Sequence, residues 1–410
     1  MFGHLETNTM QRLIRFSLLT FALTACDIAM LDPITRPNKE APDDDDDGGD
    51  GGTFAPPMTP PERDDDVVPP PPEPGPLTPN PACTMTPEFP DQVILACGLP
   101  WETSIVAVSP RHIATTVFGG TTLERIDRVT KQIETIAHAY TEYPETQFRL
   151  SEGAFVFSKS LNRLAFADAF TTGWGIRTVD LASGTIKTLS RSGVSHSLGG
   201  LGTDLFYNAT PESGGGIQRL SFHGGTSVRV GDGDNAIGTT GGWTYFMHYV
   251  AEDDADALSR VRTSGGAPQE VARNVTRFGC PVALDANGGA YYVQRGTLEE
   301  PWRLLHIGPE YPWSRDVFVC SDVDHCGDRP TWVKLHGDRV FVGGDYGRYV
   351  AHAKLEELTF HQFIELSRYR GRSTLWFEGD HMFEVSLHAG PNDDTPLAMI
   401  SARPLPPPIH

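Results

Sequence analysis

The stretch Phe155-Val-Phe-Ser-Lys-Ser-Leu-Asn-Arg-Leu-Ala-Phe-Ala-Asp168 decides the fold, because it contains two apolar segments separated by a short polar turn. A third segment, a turn containing Gly184 and a fourth segment follow between Ile176 and Leu189. Long helical periodicity is absent from this region. Four short strands joined by tight turns are typical of one antiparallel β-sheet of a repeating all-β fold.

The turn and the second segment of this unit recur along the chain. Seven copies are found, at Ser109–Val117, Ser160–Phe166, Gly202–Tyr207, Gly241–Phe246, Asp285–Val293, His336–Val342 and Glu378–Phe383. Seven units across roughly 300 residues give a period of about 43, the size of a four-stranded propeller blade. The sequence therefore predicts an all-β fold, a β-propeller of four-stranded antiparallel blades over residues 101–410. Seven blades are expected, with six or eight as the alternatives.

Two other all-β architectures have comparable turn spacing. A two-sheet sandwich seldom extends to roughly 300 residues, and a β-helix repeats at about 20 to 30 residues. The spacing of the turns favours the propeller over both.

The unit from Phe155 to Asp168, followed by Ile176 to Leu189, resembles the repeat of TolB-type, or PD40, β-propellers, with Ser-Lys-Ser-Leu-Asn in place of Ser-Pro-Asp-Gly. The other units match that repeat more loosely. TolB-like proteins form periplasmic complexes with envelope lipoproteins, so the resemblance implies a propeller in the cell envelope. No partner-binding residue is implied by so general a motif.

The connections between second and third strands vary most in length and lie on one face of a propeller, so this face is the candidate binding surface. Aromatic and acidic residues in these connections suit a sugar, a cationic group or a partner protein, unless the aromatic rings fold back onto the blades. The candidate residues are Phe170, Trp174, Glu252, Asp254, Trp302, Asp345 and Tyr346.

No contiguous motif identifies a reaction, so no catalytic residue, metal ligand or cofactor is assigned. His361-Gln-Phe-Ile-Glu365 lacks the second histidine of a zinc-binding pair, and Gly193-Val-Ser-His-Ser197 lacks the last glycine of a nucleophile elbow. Asp232-Gly-Asp-Asn235 and Asp253-Asp-Ala-Asp256 are compact oxygen-ligand clusters, typical either of a calcium site or of solvated turns. A propeller enzyme holding a metal in its central channel leaves no contiguous motif.

Residues 26–80 are predicted to be a disordered tether. They are crowded with proline, glycine and acid, including Asp43 to Asp47, and contain almost nothing to bury. A flexible chain of this length reaches at least ~40 Å. The tether carries a little over half of the net charge of −20. The rest of the chain has no basic cluster, so nucleic acid is not an expected partner.

The segment from Arg12 to Cys26 is typical of an export signal. Its apolar run is about ten residues long, whereas a membrane-spanning helix needs roughly 20. Leu23-Thr24-Ala25-Cys26 resembles the lipobox of bacterial lipoproteins, which implies a signal peptide at 1–25 and a membrane-inserted lipid on Cys26. The alternative is an ordinary signal-peptide cysteine with cleavage elsewhere. The expected location is the cell envelope, on the periplasmic side or at the outer membrane surface.

An exported chain meets oxidising conditions, in which cysteines usually pair. A disulfide between Cys83 and Cys97 is expected in the junction at 81–100, between tether and propeller. Further along, either Cys320 and Cys326 close a tight loop or Cys326 pairs with Cys280, and an odd count leaves one thiol over.

The sequence thus predicts a lipid-anchored, non-catalytic binding or scaffold module for an envelope protein or glycan. The alternatives are a calcium-dependent propeller hydrolase or lactonase acting in the central channel, and a protein that functions through self-assembly.

Overall fold

A computed structural model describes residues 76–117, 122–138, 155–170, 173–253, 255–276, 280–294, 302–310, 314–319, 330–344, 349–355, 361–367, 375–388 and 396–407. Almost all regular structure in these ranges is β-strand, with a single short 3-10 helix at Pro211–Ser213. No helix in the described part of the chain is both long and apolar enough to cross a membrane. The predicted signal peptide and the tether up to residue 75 lie outside these ranges.

The strands form antiparallel four-stranded units, which we number as blades in chain order. Blade 1 comprises β2 (Thr103–Val108), β3 (His112–Val117), β4 (Thr122–Asp127) and β5 (Ile133–His138). Blade 2 comprises β6 (Phe155–Ser158), β7 (Arg163–Phe170), β8 (Gly173–Asp180) and β9 (Ile186–Ser190). Blade 3 comprises β10 (Val194–Leu201), β11 (Asp204–Ala209), β12 (Ile217–Ser221) and β13 (Val228–Gly231).

The remaining blades follow the same order. Blade 4 comprises β14 (Asp234–Thr240), β15 (Trp243–Val250), β16 (Ala255–Arg262) and β17 (Gln269–Val275). Blade 5 comprises β18 (Val282–Leu284), β19 (Ala290–Gln294), β20 (Arg303–Ile307) and β21 (Arg315–Val319). Blade 6 comprises β22 (Trp332–His336), β23 (Arg339–Gly343), β24 (Tyr349–Lys354) and β25 (His361–Glu365). Blade 7 comprises β26 (Trp376–Glu378), β27 (His381–His388), β28 (Leu397–Pro404) and β1 (Val93–Pro100).

The first strands of neighbouring blades contact one another around the centre of the fold, for example β2 with β6 and β26, and β10 with β6 and β14. Blades 4 and 5 are joined into one eight-stranded sheet through a single residue pair, Val275 with Gln294. The described strands therefore make seven four-stranded units in a ring. The predicted all-β propeller is confirmed, and each of the seven turn-and-strand copies joins a first strand to a second strand.

The ring is closed by the two ends of the folded chain. β1 pairs antiparallel with β28, from Val93 opposite Ala402 to Pro100 opposite Leu397. The junction at 81–100 thus contributes the outermost strand of blade 7. This arrangement covers the edge of β28, whose unpaired backbone groups would otherwise invite association with other chains.

In blades 3 to 7, glycine occupies left-handed positions in the short turns between first and second strands. Gly337 and Gly379, with φ of 57° and 56°, stand first in two-residue turns. Glycine at this position is what the hairpin turn that matches strand twist requires. These turns, together with the turns between third and fourth strands, lie at one end of the sheets, which we call the turn end. The connections between second and third strands and between blades lie at the opposite end, the loop end.

Neighbouring blades are linked by hydrogen bonds at the turn end. The Ser158 hydroxyl in blade 2 donates to the Gly202 carbonyl in blade 3 over 2.5 Å. The Thr240 hydroxyl in blade 4 donates to the Asp285 carbonyl in blade 5, also over 2.5 Å. His336 Nε2 in blade 6 donates in the same way to the Gly379 carbonyl in blade 7, over 2.7 Å. These bonds satisfy buried polar groups and fix the angle between blades.

The apolar core lies between the blades, where β10 is packed most closely. A Cβ atom at Gly200 would lie 2.2 Å from Cγ1 of Val156 in blade 2. A Cβ at Gly199 would lie 2.4 Å from the carbonyl oxygens of Ala236 and Ile237 in blade 4. The two glycines therefore let the first strands of blades 2, 3 and 4 approach one another.

We expect Gly200→Ala to destabilise the propeller by about 2 kcal/mol, because the new methyl group collides with Val156. Val156→Ala alone should cost about 2 kcal/mol through the cavity it leaves. The double variant should lose at least ~1 kcal/mol less than the sum of the two, because the alanine methyl fills the space vacated by valine. Urea unfolding of the four proteins measures this coupling, and strictly additive losses would contradict the close approach.

Candidate functional site

The two ends of the ring differ in how they present aromatic side chains. The turn end consists of short turns bonded to neighbouring blades. The loop end carries the connections between second and third strands and the connections between blades. Among the described residues, the exposed large aromatic side chains are Trp101 and Tyr249, with 49% and 45% of their surface accessible, and both lie at the loop end. The loop end is therefore the candidate functional site.

Trp101 lies in the two-residue connection between β1 and β2, where the ring closes. The Thr103 hydroxyl donates to the Pro100 carbonyl over 2.7 Å and braces this connection. Both flanking strands are paired, so the backbone carrying the indole is fixed. No sequence prediction singled out Trp101, although an apolar tryptophan between Pro100 and the polar Glu102 and Thr103 is a signal for an exposed ring.

Tyr249 is the penultimate residue of β15 and lies opposite Asp256 on β16. The next turn carries the exposed Glu252. Asp253, in the same turn, pairs with Arg273 over 3.7 Å between Oδ2 and Nη1. Arg273 Nε also donates to Glu270 Oε1 over 2.7 Å, and this bond raises the pKa of the guanidinium. A cation thus lies within the acidic surface that borders Tyr249.

Blade 2 places its two candidate aromatics in a hairpin. Phe170 ends β7 and its ring is buried rather than exposed, with the Arg177 and Arg191 guanidinium carbons 4.8 and 5.6 Å from the ring centroid. Arg177 Nε lies 2.8 Å from Oδ2 of the buried Asp168. Trp174 on β8 is half-buried and packs against the core between blades 2 and 3. Phe170 therefore supports the arginines and offers no exposed ring.

The other predicted site residues are placed as follows. Trp302 is half-buried and packs against the core cluster of blades 5 and 6. Asp254, Asp345, Tyr346, Cys26, Cys320 and Cys326 lie outside the described residues. The predicted disulfide between Cys83 and Cys97 is confirmed. Cys280 is also disulfide-bonded, with its partner outside the described residues.

An Asp–His pair lies at the turn end of blade 5. Asp285 Oδ2 is 2.8 Å from His306 Nε2, and its Oδ1 accepts the amides of Asn287 and Gly289 over 2.7 and 2.9 Å. Burial favours a higher pKa for Asp285, but the His306 hydrogen bond and the Gly289 amide outweigh it, so the pKa is lowered. Burial, reinforced by the Asp285 charge, raises the pKa of Tyr291 to about 12.

This pair holds a turn and orients an imidazole, but it is not joined to a nucleophile. No described hydroxyl or thiol is hydrogen-bonded to His306, and the described ranges contain no group of three or more His, Cys, Asp or Glu side chains able to hold a metal ion. What the contacts support is a structural role, in which the carboxylate caps the turn amides and the imidazole fixes the carboxylate.

A second histidine, His352 on β24, is buried between blades 6 and 7. Its ring centroid lies 5.5 Å from that of Phe341, which in turn stacks 4.3 Å from Phe377 of blade 7. Both ring nitrogens are without a hydrogen-bond partner among the described residues. Burial, with a smaller contribution from the Arg339 charge, lowers the pKa of His352 to about 4.

His352 should make the propeller sensitive to acid. Above pH 6.5, the approximate pKa of histidine in the unfolded chain, the imidazole is neutral in both the folded and the unfolded state. As the pH falls from 6.5 toward 4, the free energy of unfolding decreases, because the unfolded chain binds the proton more readily than the folded protein does. We expect His352 to account for about 2 kcal/mol of the stability lost between pH 7 and pH 4.5.

Urea unfolding at the two pH values measures this effect. His352→Phe should remove that share of the loss, while the exposed His223→Asn control should retain all of it. Equal pH dependence in the wild type and the His352→Phe variant would show that the buried imidazole does not titrate as expected.

Comparison with known proteins assigns the chain to no family. No protein-family model matches the chain, and no curated protein matches it. Similar solved structures include virginiamycin B lyase from Staphylococcus aureus, at 12% identity over 75% of this chain and 97% of that chain, with a TM-score of 0.49.

Two further solved structures are similar in the same sense. They are a putative TolB from Agrobacterium tumefaciens (13% identity, 56% of this chain and 81% of that chain, TM-score 0.36) and the PQQ-bound aldose sugar dehydrogenase from Streptomyces coelicolor (13%, 76% and 98%, TM-score 0.41). At these identities the likeness concerns the fold alone.

Proposed function

We propose that this protein is a lipid-anchored, non-catalytic binding module of the cell envelope, which recognises an envelope protein or glycan through its loop end. The observation that carries the proposal is the exposure of Trp101 and Tyr249 at that end of the ring. Exposed aromatic side chains of this size are enriched at binding hot spots, because they bury a large area with few rotatable bonds. Their flat faces also suit the apolar faces of sugars.

The surroundings of these residues favour binding without large rearrangement. Trp101 is held between two paired strands, and Tyr249 lies in a hairpin paired along its whole length from Trp243–Arg262 to Val250–Ala255. Binding should therefore lose little free energy to the ordering of flexible segments of this protein. The polar groups of Glu252, Asp253 and Arg273 border Tyr249 and provide the charged rim that usually surrounds an apolar anchor.

The lipid on Cys26 and the tether remain part of this proposal. An anchored tether of this length lets the propeller reach ligands at a distance of at least ~40 Å from the membrane.

The test compares the two ends of the ring. Purified protein carrying Trp101→Ala and Tyr249→Ala is used to capture partners from a detergent extract of the cell envelope and from an array of envelope glycans. We expect at least about tenfold less specific capture than by the wild type, the loss typical of two aromatic anchors.

The control carries Val129→Ser and Val228→Ser, which change more exposed apolar side chains (68% and 53% accessible) at the turn end. This variant should capture as much as the wild type, with unchanged circular dichroism in both variants. Full capture by the Trp101/Tyr249 variant, or an equal loss in the control, would contradict recognition through the loop end.

A further inference from the structure

We propose that residues 76–92 form a clasp on the closing strand β1. Its outer half contains Asn80 and Cys83, and its inner half contains Glu88, Phe89 and Gln92. Reduction of the Cys83–Cys97 disulfide opens the outer half while the ring stays closed. This inference does not depend on the proposed binding function. It concerns the segment through which any tether must enter the propeller.

The outer half of the clasp covers the free edge of β1. Asn80 donates its backbone amide to the Ile94 carbonyl over 2.8 Å and its side-chain amide to the Leu95 carbonyl over 3.3 Å. The Cys83 amide then donates to the Asn80 carbonyl over 3.0 Å, and the disulfide fixes this turn to Cys97 within β1. Backbone groups that the ring leaves unpaired are thereby satisfied.

The inner half fastens the beginning of β1 to blade 7. Gln92 is buried, and its Nε2 donates to the Ser401 hydroxyl over 2.7 Å and to Glu384 Oε1 over 3.3 Å. Its Oε1 accepts the Glu88 amide over 2.8 Å. Nearby, the Arg403 guanidinium carbon lies 3.9 Å from the centroid of the Phe89 ring.

Glu384 makes the inner half costly to disrupt. This fully buried carboxylate also accepts the Ser367 hydroxyl over 2.8 Å. Withdrawing Gln92 would leave a buried charge with fewer hydrogen bonds, which is strongly unfavourable.

The two halves differ in their access to solvent. Cys83 and Cys97 are half-buried, whereas Gln92 and Glu384 are buried. A dithiol reductant therefore reaches the outer half first. One thiolate of the reductant attacks one sulfur, so that the Cys83–Cys97 bond breaks and a mixed disulfide with the reductant forms. The second thiolate of the reductant then attacks this mixed disulfide, which closes the reductant's own disulfide and leaves Cys83 and Cys97 as thiols once they have taken up the two protons that the reductant lost.

Release of the outer half uncovers the Ile94 and Leu95 carbonyls on an exposed strand edge. Such an edge is a template for pairing with another chain. Pairing of β1 with β28 persists because the inner half still holds Gln92. The device thus couples the redox state of one disulfide to the exposure of one sheet edge.

Amide hydrogen exchange of the full chain tests this proposal. Dithiothreitol should accelerate exchange at Asn80 and Cys83 by at least about tenfold, as expected when a cross-link closing a short loop is removed. Exchange in β1 and β28 should change by less than about twofold. Cys83→Ser/Cys97→Ser, measured without reductant, leaves the Cys280 disulfide intact and should reproduce the result.

The variant Gln92→Leu distinguishes the contribution of the inner half from that of the outer half. Alone it should leave Asn80 and Cys83 protected, and only in combination with Cys83→Ser/Cys97→Ser should β1 exchange rapidly. Unchanged exchange at Asn80 and Cys83 after reduction would overturn the proposal. Simultaneous acceleration of β1 and β28 in the Cys83→Ser/Cys97→Ser variant would also overturn it, because the ring would then open with the disulfide.

Discussion

The pairing of β1 with β28 is the interaction on which the rest of this structure depends. In a ring of seven sheets, every sheet packs against two neighbours only if the last sheet is complete. Here the outermost strand of blade 7 comes from Val93–Pro100, while the three strands inside it come from the other end of the folded chain. Ring closure also fixes the position of Trp101 at the loop end, because this residue directly follows Pro100 at the end of β1 and precedes blade 1.

A second constraint acts between adjacent blades and gives the two ends of the ring different roles. At the turn end, side chains at the ends of first strands bond to carbonyls of the next blade, as Ser158 does to Gly202. Farther out, Arg125 Nη1 of blade 1 donates to the Leu181 and Ala182 carbonyls of blade 2, each over 2.8 Å. With its polar groups used in this way, the turn end serves as a scaffold. The connections at the loop end differ most in length from blade to blade.

Much of the fold could be predicted from the sequence because its signals are local. Turn residues such as Gly337 and Gly379 lie within a few residues of the strands they join, so the repeat can be recognised in a single sequence. The missed features depend on distant contacts. The burial of His352 is set by the packing of blade 7 against blade 6. Trp101 gains its position from a pairing between opposite ends of the chain.

A circular permutant tests the central role of ring closure most directly. The permuted chain begins at Trp101 and continues after β28 through a short linker into residues 76–100, so that Gln92 and the Cys83–Cys97 disulfide are kept. It is compared with a chain that begins at Trp101 and lacks residues 76–100. We expect the truncated chain to lose cooperative thermal unfolding and to aggregate, whereas the permutant, in which β1 again pairs with β28, should unfold cooperatively. Cooperative unfolding of the truncated chain at the temperature of the intact propeller would contradict the central role of ring closure.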